Sequence, residues 1–303
     1  MAEESIVWLN GKFIQSKEAV VPIMTHSLQY GSGMFEGIRG YETANGTAIF
    51  KLEEHVKRFF NTAKIYMMDL GFSAEEIFNA IVETVKRNKL GDCYIRPFAF
   101  YDDSSVGVGT KGKKISVFIG AFPFKRYFSE GSKGLKCKVS SWHRIDSGSL
   151  PVQAKGSGNY LNSTLAMKEA HVSGFDEAIF LSRDGYVVEG PGENIFMVKN
   201  GNLLTPGMDS SILLGITRDT LIELANHLDM KVEERFVHRE ELYTCDEAFF
   251  CGSAAEVTPI TNIDGIRIGN GEVGPITTKI RDAYFSIVQG KNKDFDNWLT
   301  YVK

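Results

Sequence analysis

Apolar residues run from Ile6 to Leu9, stop at Asn10-Gly11 and resume at Phe13-Ile14. This pattern predicts a β-hairpin, with Asn-Gly in the left-handed positions of a tight turn. A glycine-rich stretch follows from Tyr30 to Gly40. Over residues 52–69 the apolar positions recur at helical spacing, with Val56, Phe59, Phe60, Ala63 and Met67 on one face. Ser73 and Glu76 form a capping-box pattern ahead of a second helix, whose stripe is Ile77, Ala80, Ile81 and Val85. Strands are predicted near 93–101 and 115–122. The polar, glycine-containing run 123–134 reads as a linker. Beyond it the pattern predicts a strand near 135–140, a helix near 159–172, and strands near 177–181, 186–189 and 194–198. A helix at 217–228 follows Gly215, and a strand lies near 231–236. A strand near 247–251 precedes a turn at Gly252-Ser253-Ala254-Ala255, and a helix near 275–289 comes late. Strands and helices mixed in this way predict two α/β or α+β domains, a smaller one at 1–122 and a larger one at 135–303.

Composition changes this picture little. The chain has 303 residues, 43% hydrophobic and 24% charged, which is ample for two cores. A net charge of −4 gives no reason to expect a nucleic-acid partner. Cys93, Cys137, Cys245 and Cys251 show no Cys-x-x-Cys spacing, and the six histidines form no HExxH pair, so no metal site is expected. The four cysteines read as reduced thiols. The acidic start at Met1–Ser5 lacks the basic and then apolar pattern of a secretory signal, and no segment approaches the length of a membrane helix. A cytoplasmic protein without membrane association is expected.

Two motifs compete for the chemistry. Gly107-Val108-Gly109-Thr110-Lys111-Gly112-Lys113-Lys114 nearly spells a nucleotide-binding P-loop. However, Lys114 stands where magnesium needs a hydroxyl, and a strand rather than a helix is predicted next. The second candidate is Lys155, between Ala154 and Gly156-Ser157-Gly158. A lysine that holds pyridoxal-5′-phosphate (PLP) as a Schiff base needs a phosphate site, a carboxylate for the pyridine nitrogen, and small neighbours. Glu189 supplies a carboxylate beside glycines. Gly215-Ile216-Thr217 opens a predicted helix whose amides suit a phosphate, and Arg58 adds a cation. Each has a plain alternative: a solvated loop lysine, a surface glutamate beside a turn, a simple helix cap and an exposed helix arginine.

Seven motifs stand in order along nearly the whole chain: Phe35-Glu36-Gly37-Ile38-Arg39, His55-Val56-Lys57-Arg58, Tyr94-Ile95-Arg96-Pro97, Lys155-Gly156-Ser157-Gly158-Asn159-Tyr160, Glu189-Gly190-Pro191-Gly192-Glu193-Asn194, Gly215-Ile216-Thr217-Arg218 and Gly252-Ser253-Ala254-Ala255-Glu256-Val257-Thr258-Pro259. The set resembles the branched-chain amino acid aminotransferases, among the class IV (fold type IV) PLP enzymes. The resemblance implies a small N-terminal α/β domain and a larger C-terminal domain with a β-barrel-like core. It also implies an active site between them, and a homodimer or a trimer of such dimers, with the loop near 102–112 reaching the neighbouring subunit.

The resemblance further implies roles for individual residues. Lys155 would bind PLP covalently and shuttle the proton between Cα and C4′. Glu189 would meet the pyridine nitrogen and Tyr160 the ring hydroxyl. Arg58, Gly215, Ile216, Thr217 and Ser253 would form the phosphate site. Tyr94 and the amides of Ala254 and Ala255 would take the substrate α-carboxylate. Tyr30, Phe35, Gly37, Arg39, Arg96 and Tyr127 would shape the side-chain pocket, with Arg96 reaching the γ-carboxylate of glutamate. The substrates would be L-leucine, L-isoleucine or L-valine with 2-oxoglutarate. D-amino acid aminotransferases, aminodeoxychorismate lyases and (R)-amine transaminases share the fold, but Phe35–Arg39 together with Tyr94–Arg96 favours the branched-chain type. The chain departs from the bacterial pattern at Phe124, where tryptophan is frequent, at Ser253, and across Arg144–Leu150.

Overall fold

The computed structural model of the chain describes residues 4–125 and 134–303. Tyr127 and most of the expected linker lie outside the described residues. In chain order the elements are β1 Ile6–Leu9, β2 Lys12–Gln15, α1 His26–Tyr30, β3 Gly33–Phe35, β4 Ile38–Thr43, β5 Gly46–Phe50, α2 Leu52–Ile65, α3 Ala74–Arg87, β6 Cys93–Tyr101, β7 Ile115–Pro123 and β8 Leu135–Val139. They continue with α4 Tyr160–Val172, β9 Glu177–Ile179, β10 Asn194–Lys199, β11 Asn202–Pro206, α5 Ile216–His227, β12 Val232–Arg235, α6 Glu241–Thr244, β13 Glu247–Gly252, β14 Glu256–Ile263, β15 Ile266–Arg267, α7 Pro275–Val288 and β16 Leu299–Tyr301.

By packing, the chain divides into two compact units. One holds Met1–Lys125, Ala154–Gly158 and Ser286–Lys303, and the other holds Arg126–Gln153 and Asn159–Phe285. This grouping differs from a simple cut at the expected linker. The Lys155 segment and the C-terminal strand both count with the first unit.

The first unit is an antiparallel sheet in the order β16-β5-β4-β6-β7-β1-β2, with β3 beside β6. The β1–β2 hairpin forms as expected, with Asn10 and Gly11 at φ 49° and 88°. Ser73 caps α3 with the full capping box. The apolar stripes of α2 and α3 meet the sheet through Val56, Phe59, Ala63, Ile77, Ile81 and Val85, packed with Ile38, Ile95 and Ile119. Helix α2 ends four residues before its expected end, at Ile65. Met67 turns left-handed (φ 53°) and Met68 N–H donates to Ala63 C=O, which closes the helix and leaves Met67 88% exposed rather than in the core. The C-terminal strand is held because β16 pairs with β5 and the Lys51 ammonium lies 4.0 Å over the Trp298 ring.

The second unit is a mixed sheet in the order β12-β11-β10-β13-β14-β8-β9, with β15 on β14. Its core gathers Ile195, Met197, Ala248, Phe250 and Ile260. Helix α4 packs Ala166 and Ala170 against Ala178, Phe180 and Val188. The strand expected at 186–189 is instead extended chain that makes only isolated bridges, through Tyr186, Val187 and Glu189. It breaks at Gly190-Pro191, where the backbone turns back so that Gly190 N–H meets Glu193 C=O at 2.7 Å. Among the described residues no helix is long and apolar enough to cross a membrane, and no group of three His, Cys, Asp or Glu side chains could hold a metal ion.

One buried carboxyl in this unit is poorly solvated. Glu177 is fully buried, its Oε1 accepts Ala178 N–H at 2.9 Å, and its Oε2 has no hydrogen-bond partner. Burial, with the negative charges of Glu193 and Asp176 added, pushes its pKa up to about 9. The folded state therefore holds a proton that an unfolded glutamic acid releases above about pH 4.3. Stability falls as pH rises from there through the folded value. Glu177→Gln keeps the acceptor and needs no proton, so its thermal midpoint should exceed the wild type's by more at about pH 8.5 than at about pH 5.5. Scanning fluorimetry across that range checks this, and an advantage independent of pH would contradict it.

Candidate active site

In the first unit Lys155 lies on a short segment docked antiparallel to Gly31–Phe35. Phe35 N–H donates to Lys155 C=O (3.1 Å), Gly158 N–H donates to Gly31 C=O (3.1 Å), and Met34 bridges Gly156. Lys155 N–H donates to Thr62 Oγ1 (3.2 Å) on α2. The glycine at 156 is obligatory, because a Cβ there would collide with the Tyr66 hydroxyl. The half-buried lysine places Nζ 5.2 Å from the centre of the Phe35 ring.

Arg58 sits one turn before Thr62 on the same helix. Its guanidinium grips Glu36 side-on, Nε to Oε1 at 2.7 Å and Nη2 to Oε2 at 2.8 Å. His55 Nδ1 meets the same Oε2 at 2.8 Å, and Glu36 is wholly buried. Burial alone would raise the Glu36 pKa, but the charge and hydrogen bond of Arg58 and the hydrogen bond of His55 overcome it and hold the carboxyl well below its usual range. Burial also lowers the pKa of His55, so the ring is neutral and Nδ1 carries the proton donated to the ionised Glu36.

An aromatic group with two arginines stands beside this cluster. Tyr94 and Arg96 alternate onto one face of β6, and Arg96 Nη2 donates to the Tyr94 hydroxyl (3.0 Å). The Arg96 guanidinium lies 4.3 Å from the Phe35 ring centre. Phe122 and Phe124 flank Tyr94 at 5.5 and 5.4 Å. Arg39, buried, lies 5.0 Å over both Tyr41 and Phe124 and donates to Lys125 C=O (2.8 Å). Gly37 is required because a Cβ would strike the Tyr94 hydroxyl. Tyr30 belongs to another cluster, where its hydroxyl accepts Gly107 N–H (3.0 Å) and its ring lies 4.7 Å from His26.

In the second unit Glu189 is 4% exposed and fully engaged. Arg144 Nε donates to Oε1 at 2.7 Å, while Asn194 Nδ2 and Leu213 N–H donate to Oε2 at 3.0 and 3.1 Å. Arg144 is the functional candidate that reading the sequence missed. The segment drew attention only as atypical, and the pair is 45 residues apart along the chain. Gly215 is the N-cap of α5, and a Cβ on it would collide with Asn194 Oδ1. The buried Thr217 and half-buried Ile216 therefore open a helix whose first N–H groups suit an anion. Ser253, Ala254 and Ala255 form the turn between β13 and β14, and Glu256 closes it in a left-handed conformation (φ 56°). Tyr160 is the first residue of α4.

The rival P-loop motif has none of this support. Lys113 and Lys114 are taken by Asp103 (3.0 Å) and Asp102 (3.3 Å), and β7 begins directly afterwards, so there is no helix N-terminus for a phosphate.

Likeness to known proteins points the same way. The model of the amino-transferase class IV family matches residues 33–263. The branched-chain-amino-acid aminotransferase of Pseudomonas aeruginosa is 42% identical over 302 residues, covering 99% of this chain and 98% of that one. The branched-chain aminotransferase of Thermoproteus uzoniensis, solved with norvaline, superposes with a TM-score of 0.95 at 44% identity over 99% of both chains. The branched-chain amino acid aminotransferase of Thermobaculum terrenum, solved in its PLP-form, superposes with a TM-score of 0.94 at 39% identity over 100% of both chains. The chain belongs to the branched-chain amino acid aminotransferases of the class IV family.

Proposed function

We infer that this protein is a PLP-dependent transaminase that moves amino groups between branched-chain amino acids and 2-oxoglutarate. The observation that carries the reading is Lys155, tied by its backbone to Phe35 and Thr62 on the elements that hold the Arg58–Glu36 pair. The chemistry of the remaining residues fits PLP. Arg58 and the α5 N-terminus offer donors to a phosphate, and Gly156 and Gly215 stand where a Cβ has no room. The buried Glu189, bonded to Arg144, offers an acceptor to a protonated pyridine nitrogen.

PLP supplies, when bound, an electron-withdrawing ring that makes the substrate Cα–H acidic. Lys155 holds the cofactor at rest. Its amine, once free, would serve as the base and acid that moves the substrate Cα proton. Glu189 would offer its carboxylate to the ring nitrogen, and Arg144 would hold that carboxylate in place. Thr217, Ile216, Ser253 and Arg58 would hold the phosphate, and Tyr160 would meet the ring hydroxyl. Tyr94 with the Ala254 and Ala255 amides binds the α-carboxylate. Phe35, Gly37, Arg39 and Arg96 would shape the pocket for either an aliphatic side chain or the γ-carboxylate of glutamate.

The reading includes a cytoplasmic homodimer. All four cysteines are free and buried, with thiol pKa values pushed up by burial, as suits a reducing compartment. Ile23, Leu28, Val106 and Val108 are exposed on two stretches that His26 joins, and a second copy of the chain would cover them.

Three outcomes are expected. The purified protein loaded with PLP should absorb in the visible, and the band should collapse on adding L-leucine and be lost in Lys155→Ala. An unchanged colourless protein, or turnover of D-leucine alone, would overturn the reading. Arg96→Met should raise KM for 2-oxoglutarate about tenfold or more while changing KM for leucine little, since one charged hydrogen bond is lost for one substrate only. Equal changes for both would remove Arg96 from that role. Arg144→Met leaves Glu189 buried without its cation, which should lower unfolding stability in urea by about 3 kcal/mol and lower kcat as the ring nitrogen loses its ionised partner. Unaltered stability and kcat would show the pair to be dispensable.

A further inference from the structure

Resting on the PLP reading above, we propose that Glu36, braced by His55, is a positioning residue that sets the Arg58 guanidinium for the cofactor phosphate and couples it to the lysine segment. Several observations bear on this together. Glu36 is 0% exposed and both its oxygens are used: Oε1 by Arg58 Nε, and Oε2 by Arg58 Nη2, His55 Nδ1 and its neighbour Gly37 N–H at 3.3 Å. A two-point grip through Nε and Nη2 fixes both the position and the plane of the guanidinium.

His55 and Arg58 are three residues apart on α2, hence on one helix face, and both reach the same carboxylate. One negative and one positive charge cancel beside a neutral imidazole, so the cluster is electrically balanced when buried. An arginine held only by its own long side chain would have to be ordered when the cofactor binds. Here the ordering is done in the fold.

The link to Lys155 is one peptide long. Glu36 N–H donates to Pro97 C=O (2.9 Å) and the preceding Phe35 N–H donates to Lys155 C=O (3.1 Å). On the other side, Thr62, one turn beyond Arg58, accepts Lys155 N–H. The carboxylate that aims Arg58 thus sits next to the residue that pins Lys155. The spacing between the phosphate contact and the lysine amine is set within one group of hydrogen bonds.

The test separates this role from a general structural one by using a cofactor without its phosphate. Full-length chain freed of cofactor is titrated with PLP or with pyridoxal, and binding is followed by the visible band and by protein fluorescence. Glu36→Gln should weaken PLP about 10- to 100-fold, the effect of unmatching one charged hydrogen-bonded pair, and leave pyridoxal binding unchanged. In an Arg58→Ala background Glu36→Gln should add no further loss for PLP. Equal weakening of PLP and pyridoxal, or full additivity with Arg58→Ala, would overturn the proposal. If Glu36→Gln does not fold, His55→Leu carries the same comparison: PLP weakened about 3- to 10-fold with pyridoxal unchanged supports it, and unchanged PLP binding overturns it. Wild-type chain that binds neither compound would sink the function reading itself, and this proposal with it.

Discussion

A carboxylate removed from water must be met by cations and N–H donors, or it takes up a proton, and each unit of this protein is organised around one that is met. In the first unit it is Glu36, gripped by Arg58 and His55. In the second it is Glu189, held by Arg144, Asn194 and the Leu213 amide. Both carry short, charge-assisted bonds of 2.7 Å to an arginine Nε. Glu177 shows the contrast. With one backbone donor and two acidic neighbours, its pKa is pushed upward instead of down. Between Glu36 and Glu177 the partners decide the direction of the shift, since both are fully buried.

The second constraint is steric. At Gly37, Gly156 and Gly215 a single added carbon would overlap Tyr94, Tyr66 or Asn194. None of the three owes its place to a left-handed backbone, since none has a positive φ. They are glycines because a polar side chain must pass close to the main chain. Two of the overlapping residues bond candidate site groups. Tyr94 bonds Arg96, and Asn194 bonds Glu189. Beside the lysine and at the helix N-terminus, a small residue in each unit thus lets a hydrogen-bonding group close onto the main chain.

Local signals were legible and distant partnerships were not. The Asn10-Gly11 hairpin and the Ser73–Glu76 capping box depend on residues within four positions of each other, and both formed as read. The glycine-rich run from Tyr30 to Gly40 hid β3 and the start of β4, because short strands rich in glycine lack an alternating pattern. Met67 fitted the helical stripe of α2, yet a left-handed cap put it in solvent. Lys155, Arg58 and Glu189 were singled out by residue type, neighbours and family resemblance. Arg144 was not, because its meaning is a salt bridge across 45 residues, and nothing local to Trp142-His143-Arg144 announces it.

The pocket group suggests how one enzyme handles two unlike side chains. Arg96 lies 4.3 Å from the Phe35 ring centre and shares a hydrogen bond with Tyr94. A guanidinium is planar and weakly hydrated, so its face can lie on an aromatic ring while its edge keeps donors for a carboxylate. On the function proposed above, the charge would stay compensated by the ring and the tyrosine when the substrate is aliphatic. With glutamate the same donors would face an anion. A lysine at this place would offer a strongly hydrated point charge with no flat face, and an apolar residue would leave the γ-carboxylate unmatched. On that function an arginine on an aromatic wall would serve both substrates from one position, which is what a transaminase alternating between them requires.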